Sequence, residues 1–417
     1  MRVIEGRAYV SGSLQDCCIG IENGKISEIK RILKGDEKFR FGGIILPTGI
    51  DLHVHFREPG MTEKEDFLSG TTAAACGGIT CVLDMPNTIP PATTPTRIRE
   101  KVESIGKKAM VDFGLYAGLT EDSDIEGLAE VATAFKIYFA PSTGGLAIEN
   151  FNGFLELKKD LSRAKKFISV HCEDPAQISN IEEKTLEDHL ASRPVSAEVS
   201  GIEKARRLTG IQRIHIAHLS SEKGLESLSG TDFTSEVTPH HLFLNVNCNM
   251  GTLAKVNPPL RYKHDQNALW SAFANGGIDL VASDHAPHTL DEKEQDFYSA
   301  PAGVPGVETM IPLLLERVRL KSLSLDRFVD AVCEKPADLL SLNKGKIDIG
   351  YDADIMVVDL RKPRKIRQDD LHSKCGWTPF EGMKGVFPSA TFLHGERIVE
   401  EGEVIVNPSG AFLGPKH

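Results

Sequence analysis

The chain of 417 residues has no Cys-x-x-Cys pair, no basic stripe of the kind a nucleic-acid binder shows, no low-complexity tract and no internal repeat. It also has no apolar run approaching the length of a membrane span, and MRVIEGRAYVSG at its start has no apolar stretch of the kind a signal peptide needs. Eight cysteines at Cys17, Cys18, Cys76, Cys81, Cys172, Cys248, Cys333 and Cys375 are too sparse for a disulfide scaffold. Free thiols in a reducing compartment are expected, which points to the cytoplasm. The net charge of −11 argues against a nucleic-acid partner, since no basic stripe offsets it. An anionic small molecule would need a local positive site built against that global charge.

Apolar residues at 41% and charged residues at 26% suit a large packed core. Both ends of the chain are β-rich. RVIEGRAYV and CCIGIENGKISEIK alternate apolar and polar residues around an Asn23-Gly24 hairpin signal, and DADIMVVDL and ATFLHGERIVEEGEVIV do the same near the other end. The middle alternates strand-like with helix-like stretches. IILPTGIDLHVHF, ITCVLDMP, MVDFGLYAG, AFKIYFA, FISVHCED, RIHIAHLS, DFTSEVT and IDLVASDH are the strand candidates. KEDFLSGTTAAACGG, SAEVSGIEKARRLTG and QNALWSAFANGG are among the helices between them. Eight such alternations predict an α/β fold, a (β/α)8 TIM-like barrel over residues 46–344. A small β domain is expected from residues 1–45 and 345–417. The stretch His285 to Pro305, rich in Pro, Gly and acidic residues, is expected to be a long functional loop.

Metal-type side chains cluster where these strands end, and in a barrel the strand C-termini meet at one mouth. His53 and His55 are two apart on a strand, so both imidazoles face one way and could reach one cation. On their own, they could be two surface histidines of an ordinary strand. His171 in SVHCED and His218 in HIAHLSS each close an apolar strand, and Asp284 sits in ASDHAPH. Imidazole with carboxylate suits Zn²⁺, with Mn²⁺ and Co²⁺ left open. His215 shares HIAH with His218, but three-residue spacing turns it to the other face, so it is read as structural. Lys136 is the odd member, because an ammonium beside a divalent cation is repelled and costly to bury. Locally it reads as a lysine reaching for the surface. A neutral lysine that adds CO₂ instead becomes a carbamate, whose two oxygens could bridge two metals. Asp284 could simply cap a turn. Among the other donors it is better read as a ligand that also takes the proton from a water acidified to about pH 7 and passes it on.

The segments HVHFREPG, DMPNT, FKIYF, VHCED, HIAHLSS, VNPPLR and SDHAPH, in this order over nearly the whole chain, resemble the amidohydrolase superfamily and within it the dihydroorotases. The resemblance implies the barrel, the small β domain from both termini, and one or two zinc ions. It implies metal ligands at His53, His55, His171, His218 and Asp284, with Lys136 carboxylated as the bridge; some dihydroorotases carry an aspartate there instead. It further implies that Arg57, two residues past His55 and on the same face, grips the free carboxylate of dihydroorotate with its guanidinium fork. The alternative for Arg57 is a surface ion pair with Glu58 or Glu63. Asn87 and His288 match the family's other carboxylate contacts, and Arg57 with His288 would supply the local positive charge. Asn257 resembles a ring contact, and the backbone near Gly303 in AGVPGVET resembles the segment that meets the ring. His240 and His241 in TPHHL fit the family as supporting residues. The implied activity is the reversible closure of N-carbamoyl-L-aspartate to L-dihydroorotate in pyrimidine biosynthesis. A hydantoinase, dihydropyrimidinase or allantoinase is the nearest alternative, and a non-catalytic partner protein a remoter one. A homo-oligomer, or association with other enzymes of the pathway, is left open.

Overall fold

The computed structural model describes residues 1–141, 145–211 and 213–415. Strands β1 (Arg2–Val10), β2 (Ser13–Glu22), β3 (Lys25–Lys30) and β4 (Glu37–Pro47) begin an eight-stranded sheet. The β2–β3 turn has Asn23 at φ 51° and Gly24 at φ 77°, both left-handed as a tight hairpin requires. β1 pairs antiparallel with β2 (Ile4 opposite Ile19) and parallel with β4 (Ala8 opposite Ile45).

Strands β5 (Gly49–Val54), β6 (Ile79–Asp84), β7 (Asp112–Gly118), β8 (Ala134–Tyr138), β9 (Ile168–His171), β10 (Ile214–Ile216), β11 (Thr234–Val237) and β12 (Leu280–Val281) form the parallel barrel, hydrogen-bonded in chain order. A bridge between Val54 and His285, with the His55 N–H donating to His285 O at 2.8 Å, joins the last strand to the first. Both faces of these strands are buried, one against the lumen and one against helices, which is why they read as continuous apolar runs rather than alternations. The expected first strand, IILPTGIDLHVHF, is in fact two. Ile45 pairs with Val357 in the terminal sheet and Gly49 with Ile79 in the barrel, and the chain changes sheet at Thr48. Gly49 is forced by close approach, since a Cβ there would lie 2.5 Å from Ile311 Cδ1.

The terminal sheet is completed by β13 (Ile355–Val358) beside β4. A separate antiparallel pair, β14 (Arg364–Lys365) with β15 (Lys384–Gly385), packs on the barrel helix Val307–Arg319, where the Val386 N–H donates to Pro312 O at 3.0 Å. β16 (Pro388–Leu393), β17 (Glu396–Glu400) and β18 (Glu403–Val404) then extend the sheet from β13. Ile4, Ile19, Ile45, Ile355, Val357 and Phe392 make its core. Two later segments lie against the barrel. Residues 371–378 reach the barrel mouth, and residues 410–413 pair beside Phe113 at the start of β7. Among the described residues no helix is long and apolar enough to cross a membrane.

Candidate active site

The barrel mouth holds a cavity of about 290 Å³. Its walls include His53, His55, His171, His218 and Asp284, together with Arg57, Asn87, Asn257 and Gly303. Residues spread over 250 positions of sequence thus converge where the strands end. Lys136 and His288 do not reach the walls: Lys136 is fully buried on β8, and His288 stands behind Arg57.

The donor atoms are spaced as ligands of a common cation would be. His53 Nε2 and His55 Nε2 lie 3.3 and 3.1 Å from Asp284 Oδ1, and His171 Nδ1 lies 3.0 Å from His218 Nε2. Ligands at zinc distances on a tetrahedron are separated by roughly 3.3 Å, so both groups fit a divalent metal. His218 adds a second sign: its other ring nitrogen, Nδ1, is buried without a hydrogen-bond partner among the described residues. Burial pushes His55 down to about 4 and His218 well below the usual histidine range, so these rings offer lone pairs rather than charge. Burial alone would raise Asp284, but His53 and His55 beside it hold the carboxyl well below its usual range.

Lys136 Nζ lies 3.1 Å from Ser169 Oγ and 5.2 Å from the centre of the Tyr138 ring. Among the described residues no carboxylate comes within ion-pair distance of it, and burial pushes its ammonium down to about 8. The surface-seeking reading of Lys136 is therefore overturned, because the side chain has no exposure at all.

The rings of His53, His55 and His171 are each aimed by a neighbour, and sequence reasoning missed most of these neighbours. Glu236 accepts from His53 Nδ1 at 2.5 Å, from His215 Nε2 at 3.1 Å and from the His218 backbone N–H at 3.3 Å. His215 thus faces away from the donors, as its spacing predicts, yet supports them through one shared carboxylate. Glu173 holds His171 Nε2 at 3.0 Å and is itself gripped by Arg193 Nη2 at 2.7 Å. Such partners fix which nitrogen is free for a metal. The two-residue spacing of His171 and Glu173 was a usable signal; nothing local marks Arg193, which also lines the cavity. Asn87 Oδ1 accepts from His55 Nδ1 at 2.7 Å, so it orients a ring as well as facing the cavity. His241 donates Nε2–H to Pro258 O at 3.1 Å, a supporting role, and His240 is buried nearby.

Arg57 Nε donates to Pro287 O at 3.1 Å, and His288 Nε2 lies 3.1 Å from both Arg57 Nη2 and Ala302 O. Neither Glu58 nor Glu63 pairs with Arg57; Glu58 is taken by Lys108. The expectation that His288 shares the positive charge needs correction. Burial, with Arg57 and Lys64 close by, pushes its imidazole down to about 3, so the cation is Arg57 and His288 is a neutral donor. Gly303 has φ 140°, and a Cβ there would lie 2.5 Å from Ala286 O and 3.1 Å from His288 Cδ2. Its N–H donates to Lys255 O and its carbonyl accepts from Lys293 Nζ, so it presents a bare backbone face rather than a free N–H. Asn257 Oδ1 is buried with no hydrogen-bond partner among the described residues. Arg57, His218 and Asp284 all take left-handed φ values (61°, 39° and 46°), strain of a kind that collects at functional sites.

The arrangement can bind a divalent centre, anchor an anion beside it and accept a proton between the two. Residues 44–398 match the model of the amidohydrolase family. The chain is 42% identical to a dihydroorotase of Methanosarcina mazei, with 98% of this chain and 96% of that protein covered. It is 37% identical to a dihydroorotase of Halobacterium salinarum, covering 95% and 96%. Among solved structures, an L-hydantoinase (dihydropyrimidinase) from Arthrobacter aurescens superimposes with a TM-score of 0.94 over 99% of both chains at 28% identity. A dihydropyrimidinase from Brevibacillus agri gives 0.88 at 26% identity over 99% and 98%. Fold, barrel-mouth geometry and sequence agree that the chain belongs to the amidohydrolase family and, within it, to the dihydroorotases.

Proposed function

We propose that the chain closes N-carbamoyl-L-aspartate to L-dihydroorotate with loss of water, and opens it in reverse, as a step of pyrimidine biosynthesis. The observation that carries this reading is Arg57, a buried guanidinium without a carboxylate partner among the described residues, standing at the cavity wall beside the metal-type donors. A hydantoin or dihydrouracil ring offers that guanidinium no carboxylate, so leaving Arg57 desolvated would cost binding rather than supply it.

We assign His53, His55, Lys136, His171, His218 and Asp284 as ligands of two zinc ions. Zinc in such a set polarises the amide carbonyl and acidifies a water to about pH 7. The Lys136 amine, already pushed down to about 8, is neutral often enough to add CO₂. Its Nζ–C bond forms as a proton leaves, which replaces an isolated buried amine with an anion. In the hydrolytic direction the Asp284 carboxylate takes a proton from the attacking water and delivers it to the ring nitrogen as the C–N bond breaks. In the biosynthetic direction the ureido nitrogen attacks the side-chain carboxyl, and Asp284 supplies the proton for the departing water. Arg57 and Asn87 hold the α-carboxylate while His288, through Nε2–H, braces that end of the pocket. Asn257 Oδ1 accepts from a ring N–H. Holding both ends of a flexible chain lowers the entropic barrier to closure.

The test is turnover of dihydroorotate against dihydrouracil, hydantoin and allantoin by metal-loaded enzyme, wild type and Arg57→Ala. Dihydroorotate is expected to be preferred, and Arg57→Ala to abolish that preference. Better turnover of a ring lacking the carboxylate, or unchanged dihydroorotate turnover in Arg57→Ala, refutes the assignment. The eight unpaired cysteines suit a reducing environment, and we place the protein in the cytoplasm, acting on a small molecule.

A further inference from the structure

A second group of metal-type side chains lies away from the cavity, between the barrel and the C-terminal part of the chain. Cys76 ends the barrel helix Phe67–Cys76, and Glu308 opens the helix Val307–Arg319. His372 comes from the segment running to the barrel mouth, and Gly402 from the β17–β18 turn. Ligand atoms of Cys76, Glu308 and His372 all lie within 4.8 Å of one another. Cys76 Sγ is 3.8 Å from His372 Nε2 and 3.3 Å from Gly402 O. Glu308 binds the same histidine twice, accepting from Nδ1 at 2.9 Å and from the backbone N–H at 2.8 Å. That leaves Nε2 as the free nitrogen, facing the sulfur.

From this juxtaposition we propose a structural site for one thiophilic divalent cation of the zinc class, held by Cys76 Sγ and His372 Nε2, with Glu308 orienting the imidazole. Three features favour a cation there. A thiolate and an imidazole on one tetrahedral zinc are separated by roughly 3.6 Å, close to the distance found. The carboxylate–histidine pair is the arrangement that fixes the tautomer of a metal-binding ring. The surroundings are electron-rich: Cys76 sits at the negative end of its helix dipole, next to the Gly402 carbonyl and the buried Glu308. Thiolate, carboxylate and a divalent cation sum to no net charge, which is the form that burial tolerates. Cys76 is 3% exposed, whereas the His372 side chain is 24% exposed and leaves a way in. Such an ion would pin three separated stretches together and hold down the start of the segment that reaches the catalytic mouth.

None of the catalytic donors is a cysteine, so thiolate-to-metal charge transfer reports this site alone. The experiment titrates Co²⁺ into metal-free full-length protein carrying Cys248→Ser, which removes the most exposed thiol, and follows the near-ultraviolet thiolate–cobalt band. The band is expected to saturate at one thiolate-bound Co²⁺ per chain, to vanish in Cys76→Ser, and to need at least about tenfold more Co²⁺ in His372→Ala. Glu308→Gln should weaken the site by about 10- to 100-fold while keeping the band. His372, partly exposed, is the substitution least able to prevent folding. Absence of the band in the parent, or its survival unchanged in either Cys76→Ser or His372→Ala, overturns the proposal.

Discussion

At the scale of single residues, geometry matters more than charge. Arg57 is held by one backbone carbonyl, with the neutral His288 ring beside it, leaving the rest of its fork for a carboxylate. A lysine at that position keeps the charge and loses the fork. Arg57→Lys is therefore expected to lower kcat/KM on dihydroorotate by about one to two orders of magnitude, measured in steady state at saturating metal. Glu236 is the other decisive residue, since one carboxylate aims His53, braces His215 and caps the His218 backbone. Replacing it by glutamine should weaken metal retention about 10- to 100-fold, read by chelator competition with metal analysis. Retention equal to wild type would show that Glu236 merely fills space. His53, His55, His171, His218 and Asp284 could be read in the sequence because metal-type residues at strand ends are scarce. Glu236 and Arg193 could not, because a strand-end glutamate and a loop arginine look like ordinary surface charges until their burial is known.

At the scale of elements, the barrel was legible because its strands, buried on both faces, leave continuous apolar runs separated by helical stretches. The boundary at Thr48 was not legible: Ile44 to Phe56 is one apolar stretch, and only the pairing partners show that it serves two sheets. The stretch from His285 to Pro305 does line the cavity, but sequence gave no hint of what holds it. Lys293, in the short helix Leu290–Lys293, donates to Lys255 O at 3.3 Å, Pro301 O at 2.9 Å and Gly303 O at 3.1 Å. Burial pushes this lysine down to about 7. Below that value three N–H donors meet three carbonyls; above it the neutral amine has only two. KM is expected to climb as pH rises past about 7, and in Lys293→Met to be about tenfold higher and independent of pH over the same range. Parallel pH profiles of both proteins would reveal no difference if the lysine were mere packing.

At the scale of the whole molecule, a buried ionic junction couples the terminal sheet to the floor of the barrel. Lys344 Nζ lies 2.7 Å from Asp112 at the start of β7 and 2.7 Å from Asp354 beside β13. His394 Nε2 lies 3.0 Å from the same Asp112. Lys344 is 3% exposed and also lies 3.2 Å from Asp352, so removing it takes an ammonium from three carboxylates, two of them buried. Lys344→Met is expected to cost about 3–5 kcal/mol of unfolding free energy, measured by denaturant titration. The pH response has two sides. His394 is raised by its hydrogen bond to Asp112, so its contribution is complete below the ordinary histidine value and fades as pH rises through the raised one. Burial opposes Asp112, but His394 and Lys344 hold it lowered, so its contribution is complete above the ordinary carboxylate range and is lost in acid. His394→Asn should abolish the alkaline decline and leave much of the acid one, visible in unfolding free energy against pH.

The left-handed backbone at Arg57 has an evolutionary corollary. Glycine would relieve that conformation at no steric expense, whereas any residue with a Cβ, arginine included, is strained in it. A library selected solely for surviving heat should therefore drift toward glycine at position 57, and its hardiest members would be the ones that have forgotten their substrate.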